Sequence, residues 1–182
     1  MILAFDTATS FGAVCGTSVG ARGRAERAGD LLAAVDGLVD DPRALEGIVV
    51  GRGPGSFTSI RIGLAVARAL ALALRIPVAG ASTLDAFAHG TPVIDARRGE
   101  VFAPGPLVVR PEELDVAGRT LVGDGAIRYR DVFEAHGADV PSDDDPLHMP
   151  DPLLLLERAG PFGAADLVEP LYVRDPDATP AP

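Results

Sequence analysis

The chain has 182 residues, 47% hydrophobic and 23% charged, enough for one large domain or two small packed lobes. All 16 basic residues are arginine, which excludes a Walker-type lysine loop and any Schiff-base or lysine-nucleophile chemistry. A formal net charge of −10 argues against this chain gripping nucleic acid by itself, and the single cysteine, Cys15, against a disulfide framework.

Taken in chain order, short runs at 2–5, 11–17 and 19–24, joined by Gly- and Ser-rich turns, predict a three-stranded meander. Asp30 then opens a helix with Leu31, Leu32, Val35, Leu38 and Val39 at one-face spacing, ending near Asp41-Pro42. A buried strand at 48–50 runs into Gly51-Arg52-Gly53-Pro54-Gly55, a tight turn that starts a long helix over 56–75. Such a turn serves either as an anion cradle or as a close-packing elbow. A strand follows at 77–79, and Ser82-Thr83-Leu84-Asp85 resembles a capping box opening a helix through Ala88.

The second half begins as the first did. Pro92-Val93-Ile94-Asp95-Ala96 echoes Leu3-Ala4-Phe5-Asp6-Thr7, each placing an aspartate at the end of an apolar strand, which points to an internal duplication. Strands at 100–103 and 107–109, a short helix from Pro111, the strand Leu121-Val122 with the loop Gly123-Asp124-Gly125, and a helix from Ala126 come next. Residues 141–152 read as exposed loop, 153–158 as a short helix, and 175–182 as a flexible tail.

Asp6 and Asp95 are the natural catalytic suspects, since two carboxylates at adjacent strand ends can hold magnesium and orient a nucleotide. Thr7 and Thr9 would add hydroxyls, and Gly123-Asp124-Gly125 would face the same ligand, although both aspartates and the triplet also suit ordinary turns. His89, His136 and His148 are scattered, so a zinc or iron site is not expected, and no Gly-x-Ser-x-Gly elbow is present. The start lacks a basic signal-peptide region, and the apolar run 62–74 is broken by Arg68 and too short for a span; a cytoplasmic protein is expected.

On the long helix Arg61, Arg68 and Arg75 share one stripe. Ile62, Val66 and Leu70 are expected to face the sheet, leaving Ile60, Leu64 and Leu72 on other sides with a smooth strip of Gly63, Ala67 and Ala71. A helix so apolar must be buried nearly all round, which implies a partner helix.

Four segments resemble the TsaB (YeaZ) family, bacterial proteins required for threonylcarbamoyladenosine in tRNA. They are Ile2-Leu3-Ala4-Phe5-Asp6-Thr7-Ala8-Thr9, then Gly51 to Thr58 with Arg61-Ile62-Gly63, then Ile94 to Phe102, and Pro170-Leu171-Tyr172-Val173-Arg174. The resemblance implies an α/β, actin-like and Hsp70-like (ribonuclease H-like) fold. Two related lobes would each carry a mixed sheet and helices, at 1–90 and at 91–174, the second shortened. It implies a non-catalytic relative of the catalytic subunit TsaD, within a tRNA threonylcarbamoyltransferase complex that also holds the ATPase TsaE. The chain would dock TsaD through its helices, self-associate as a dimer when alone, and meet tRNA only indirectly.

On that basis the partner interface falls at Leu31, Leu32, Val35, Phe57, Thr58, Ile60, Arg61, Leu64, Ala67, Arg68 and Ala71. A vestigial nucleotide site falls at Asp6, Thr7, Thr9, Asp95, Gly123, Asp124 and Gly125. No cofactor or metal is required, with room for weak ATP or ADP binding with magnesium. The alternative is an active ATPase or phosphotransferase using Asp6 and Asp95. Three features depart from the family pattern: Ala28-Gly29-Asp30 where His-Ser is usual, Ser59 in place of a glycine, and short hairpins near Pro104-Gly105-Pro106.

Overall fold

Successive strand residues point to opposite faces, so the apolar residues at the start of the chain feed two cores at once. In β1 (Ile2–Asp6) Leu3 and Phe5 enter one cluster and Ala4 another. The structure, a computed structural model, describes residues 1–174; the tail expected at 175–182 lies outside the described residues. β1 pairs antiparallel with β2 (Ala13–Thr17), and β2 with β3 (Arg22–Ala25). On its other side β1 runs parallel to β4 (Gly47–Gly51), and β4 to β5 (Val78–Ala81), giving the order β3-β2-β1-β4-β5. Every residue of β4 is buried, as a parallel strand covered on both faces requires.

One face of this sheet is covered by α1 (Leu31–Asp36) and α2 (Phe57–Leu74). α2 starts at the N-cap Ser56 and stops at Arg75, a left-handed C-cap at φ 57° whose amide donates to the Ala71 carbonyl. Its sheet-facing side consists of Ile60, Gly63, Leu64, Ala67 and Ala71, all buried, while Ile62, Val66 and Leu70 lie half-buried at its margin. This corrects the expected helix phase: the small-residue strip packs inward because it lets α2 approach the sheet closely. Among the described residues α2 alone is long and apolar enough to cross a membrane, and its buried side belongs to the core of this sheet. The expected helix from Ser82 is only a 3-10 turn at Thr83–Ala86.

The second lobe repeats the plan in reduced form. β6 (Thr91–Pro92) and β7 (Ile94–Arg97) are one strand path broken at Val93. β7 pairs antiparallel with β8 (Glu100–Ala103), which pairs antiparallel with β9 (Leu107–Val109), while β6 runs parallel to β10 (Leu121–Val122). A single parallel bridge from Thr120 to Asp139 stands where the first lobe has β5. The place of α1 is taken by a 3-10 turn at Pro111–Glu113. The counterpart of α2 is split at Tyr129 into α3 (Asp124–Arg128) and α4 (Arg130–Ala135). Val93, Val101, Leu121, Ala126 and Phe133 form its core.

The chain then returns to the first lobe. Asp151 caps α5 (Pro152–Glu157) by accepting from the Leu153 amide at 3.0 Å, and Leu155 packs with Ala4, Val49, Ala79 and Ala86 on the sheet face opposite α1 and α2. Gly163 bridges to Val78, and the Leu171 amide donates to the Arg52 carbonyl at 2.7 Å. The expected boundary that gave 91–174 to the second lobe is therefore corrected. From Asp151 to Leu171 the chain runs against the first lobe, α5 covering the sheet face that would otherwise be a bare layer of small apolar side chains, before Val173 and Arg174 reach the second lobe.

Candidate functional site

Between the lobes lies a cleft of about 680 Å³. Its walls come from the β1–β2 turn (Thr9, Ser10), the start of α2 (Ser56 to Ser59), the β7–β8 turn (Asp95, Arg97, Arg98), Asp124, and the C-terminal segment at Tyr172 and Arg174. Asp124 ties the lobes together: its Oδ2 accepts from the Ser10 amide at 2.7 Å and its Oδ1 from the Asp95 amide at 3.0 Å. The turn before it needs glycine. Gly123 sits at φ 101°, and a Cβ on Gly125 would lie 2.8 Å from the Ile94 carbonyl carbon. The Gly123 amide donates to His148 Nδ1 at 3.1 Å, so the proton of this buried imidazole is on Nε2, which donates to the Pro141 carbonyl at 3.1 Å.

Asp6 does not reach the cleft. It is 1% exposed; its Oδ2 accepts from the Thr83 hydroxyl at 2.6 Å and its Oδ1 from the Ala8 amide at 2.7 Å. Burial pushes its carboxyl above the usual range, against the opposing effect of those two hydrogen bonds. Gly51 makes room for it, since a Cβ there would sit 1.7 Å from Asp6 Oδ2. Asp95 lines the cleft, but Arg97 at 3.2 Å and Arg128 at 3.5 Å pair with its Oδ2, and the Arg97 amide donates to its Oδ1 at 2.9 Å. The expected Asp6–Asp95 pair facing one ligand is thus corrected. One carboxylate is sealed under the β1–β2 turn and the other is held by arginines. Among the described residues no three His, Cys, Asp or Glu side chains gather as a metal site.

Thr7 is likewise structural in geometry: its hydroxyl donates to the Ser59 carbonyl at 2.6 Å and fastens β1 to α2. A Cβ on Gly63 would come within 2.6 Å of that oxygen. Thr9 does line the cleft, 5% exposed, and its hydroxyl has no partner among the described residues.

The expected partner interface divides in two. Leu31, Val35, Ile60, Leu64, Ala67 and Ala71 are buried in the chain's own core, so they cannot meet a partner; the sheet covers them. Leu32, Phe57, Thr58, Arg61 and Arg68 are exposed. The outer side of α2 also carries Ala65, Ala69, Leu72 and Ala73, with Leu72 83% exposed.

The arginine stripe serves the chain itself. Arg61 lies 3.8 Å over the Phe57 ring, and its Nε donates to the Tyr172 hydroxyl at 2.9 Å, while Phe57 and Tyr172 stack at 5.0 Å. Arg68 donates to the carbonyls of Ala165 and Val168, at 3.4 and 2.9 Å. Arg174 reaches across to the Ala96 carbonyl at 3.1 Å and the Glu100 carboxylate. Thr83, His148 and Tyr172 are among the site residues that the sequence reading did not assign. Thr83 lies inside the capping-box motif and Tyr172 inside the C-terminal family motif, while nothing local marks His148.

The sheet order β3-β2-β1-β4-β5, its reduced repeat and the cleft between the copies define a two-lobed protein of the actin-like, Hsp70-like class built on ribonuclease H-like units. Residues 32–134, more than half of the chain, match the family model described as "TsaD: tRNA N6-adenosine threonylcarbamoyltransferase". An uncharacterised protein of Mycobacterium tuberculosis is 34% identical over 178 residues, covering 90% of this chain and 81% of the relative. The tRNA threonylcarbamoyladenosine biosynthesis protein TsaB of Bacillus subtilis is 41% identical over 81 residues, 38% of this chain and 35% of that protein. The matched stretch thus spans about a third of that named relative. YeaZ from Pseudomonas aeruginosa superposes with a TM-score of 0.73 at 26% identity, over 94% of this chain and 98% of its own. The chain belongs to the TsaB (YeaZ) family.

Proposed function

We propose that this chain takes part in installing threonylcarbamoyladenosine in tRNA, as a non-catalytic subunit that docks a TsaD-type catalytic subunit. The names carried by its relatives and the TsaD-type family match support the pathway. The observation that carries the docking role is the uncovered apolar strip on α2: Ala65, Ala69, Leu72 and Ala73, with Leu32 of α1 53% exposed on the same side of the sheet. A row of small residues flanking one large exposed Leu suits the close approach of another helix. Asp36, the last residue of α1, and Asp40 shortly after it are exposed acids.

A TsaE-type ATPase would join the same assembly, and a second copy of this chain would use the strip when no partner is present. With a net charge of −10, the tRNA is left to the partner. No cofactor is required for this role. The active-ATPase alternative gains nothing from the geometry around Asp6 and Asp95 described above.

The test is co-purification of the chain with the TsaD-type protein of its own cell, comparing wild type with Leu72→Glu and Ala69→Glu. A charge left unpaired in an apolar interface should reduce recovery of the partner at least tenfold while the melting temperature stays unchanged. Full recovery of the partner by both variants would refute docking through this strip.

A further inference from the structure

The two lobes meet at a pivot and are closed by ties across the cleft. The chain leaves the first lobe after Ala86 and returns to it at Asp151, and the two crossings are pinned together, the Asp151 amide donating to the Ala86 carbonyl at 2.6 Å. Among the described residues only one apolar cluster mixes the lobes. In it Leu84 and Phe87, beside the first crossing, pack with Ile94, Phe102 and Val108 of the second lobe and with Val173. Away from this pivot, the hydrogen bonds that join the lobes among the described residues are that from the Ser10 amide to Asp124 and those made by Arg174.

The Arg174 tie ends a third crossing of the chain. Leu171 and Tyr172 are held on the first lobe: the Leu171 amide donates to the Arg52 carbonyl at 2.7 Å, the Tyr172 hydroxyl accepts from Arg61 at 2.9 Å, and the Tyr172 ring stacks on Phe57 at 5.0 Å. One residue later the chain is on the second lobe, where Val173 joins the mixed cluster and Arg174 donates to the Ala96 carbonyl at 3.1 Å and pairs with Glu100. All four residues line the cleft, so the segment runs along its wall from one lobe to the other. Its two ends differ in strength. The first-lobe end has a backbone bond, a side-chain bond and a ring stack, whereas the hook at the other end is one guanidinium whose side chain, like that of Glu100, stays partly in water, at 26% and 33% exposed. Ion pairs in contact with solvent hold weakly.

We infer that Leu171 to Arg174 form a releasable strap, which holds the lobes closed over the cleft and, when Arg174 unhooks from Ala96 and Glu100, lets them part about the pinned crossings at Ala86 and Asp151. Two bodies joined by a short pivot and a few polar ties open as units, leaving each core intact. The Asp124 carboxylate reports that opening. It accepts one amide from each lobe, Ser10 from the first and Asp95 from its own, so parting the lobes breaks the Ser10 bond and spares the Asp95 bond. The strap is a property of the cleft and stands or falls separately from docking on α2.

The test is hydrogen exchange of the isotopically labelled full chain, wild type against Arg174→Ala, read as protection factors at Ser10, Asp95 and the amides of β4. Loss of the hook should speed exchange at Ser10 by at least about tenfold and leave Asp95 and β4 as they were. Unchanged exchange at Ser10 would overturn the strap, and so would equal acceleration at Ser10, Asp95 and β4, since the variant would then have loosened the whole molecule. Glu100→Gln, which keeps the shape and removes the charge, should act in the same direction. If the variants fail to fold, the wild type decides: Ser10 must be less protected than Asp95 and β4, and a Ser10 amide as protected as those of β4 would mean that the lobes part only when the chain unfolds.

Discussion

The sharpest test of the helix phase is a matched pair of substitutions on α2. Leu64 is 4% exposed and belongs to the cluster with Leu3, Phe5, Ile48 and Val50, whereas Leu72 is 83% exposed. Leu64→Ala removes the outer part of a fully packed side chain. The surrounding strands are buried on both faces and cannot collapse into the gap, so the cost should fall in the upper part of the range of about 2–5 kcal/mol known for such truncations. Leu72→Ala exposes almost nothing new and should change stability by less than about 0.5 kcal/mol. Urea unfolding followed by circular dichroism reads both: the Leu64 variant should unfold at a much lower midpoint with the slope unchanged, and the Leu72 variant should overlay the wild type. If Leu64→Ala cost less than about 1 kcal/mol, or if Leu72→Ala cost more, the buried and outer sides of α2 would be assigned wrongly.

Gly51→Ala would drive a methyl onto Asp6 Oδ2 and break its bonds to Thr83 and Ala8, so a loss of about 2–4 kcal/mol is expected in the same unfolding assay. His148→Phe would strand the Gly123 amide and the Pro141 carbonyl; a loss of about 2 kcal/mol is expected, with faster hydrogen exchange at Gly123 and through α3. Asp151 gives a pH prediction. Burial alone would raise its carboxyl, but the Arg22 hydrogen bonds, the Leu153 amide and the Arg22 charge together hold it below the usual range. A depressed carboxyl contributes stability that is present above the unfolded value of about 3.9 and lost as pH falls through the folded value. Asp151→Asn keeps the helix cap and removes the charge, so wild type and variant should differ by up to about 1 kcal/mol at pH 7 and draw together as pH falls through the depressed folded value. A gap that widened in acid would contradict the assignment.

Much of the first lobe was legible because its signals are local. The meander, the buried strand before the glycine turn and the start of the long helix after it each rest on neighbouring residues, and the echo of residues 3–7 at 92–96 announced the duplication that the second sheet displays. The phase of α2 was not legible, for a physical reason. A helix apolar nearly all round has no polar face to fix its rotation, and the two sides differ in packing rather than in composition. The site failed to show itself for a different reason. Thr83 holds Asp6 across 77 residues, His148 holds Gly123 across 25, and the lobes are tied by Asp124 rather than by the echoed Asp95. No spacing rule carries such contacts.

The changed role of the arginine stripe alters what a docked partner can use. Arg68 spends Nε and Nη2 on the Ala165 and Val168 carbonyls, so it cannot make a bidentate pair with a partner carboxylate without releasing the returning C-terminal segment, whereas Arg61 gives only Nε to Tyr172 while stacking on Phe57. What remains for a partner, beside at most one ion pair at the Arg61 terminal nitrogens, is the neutral strip of Ala65, Ala69, Leu72 and Ala73, whose contribution is desolvation and close packing. Association through that strip should therefore be nearly insensitive to salt, with affinity changing by no more than about fivefold between low and high ionic strength, the worth of one exposed ion pair. Isothermal titration of the two purified proteins across a salt series measures this directly. A steep loss of affinity with salt would mean that the arginines let go of the C-terminal segment and bind the partner, making the segment from Ala165 to Arg174 a competitor for the docking face.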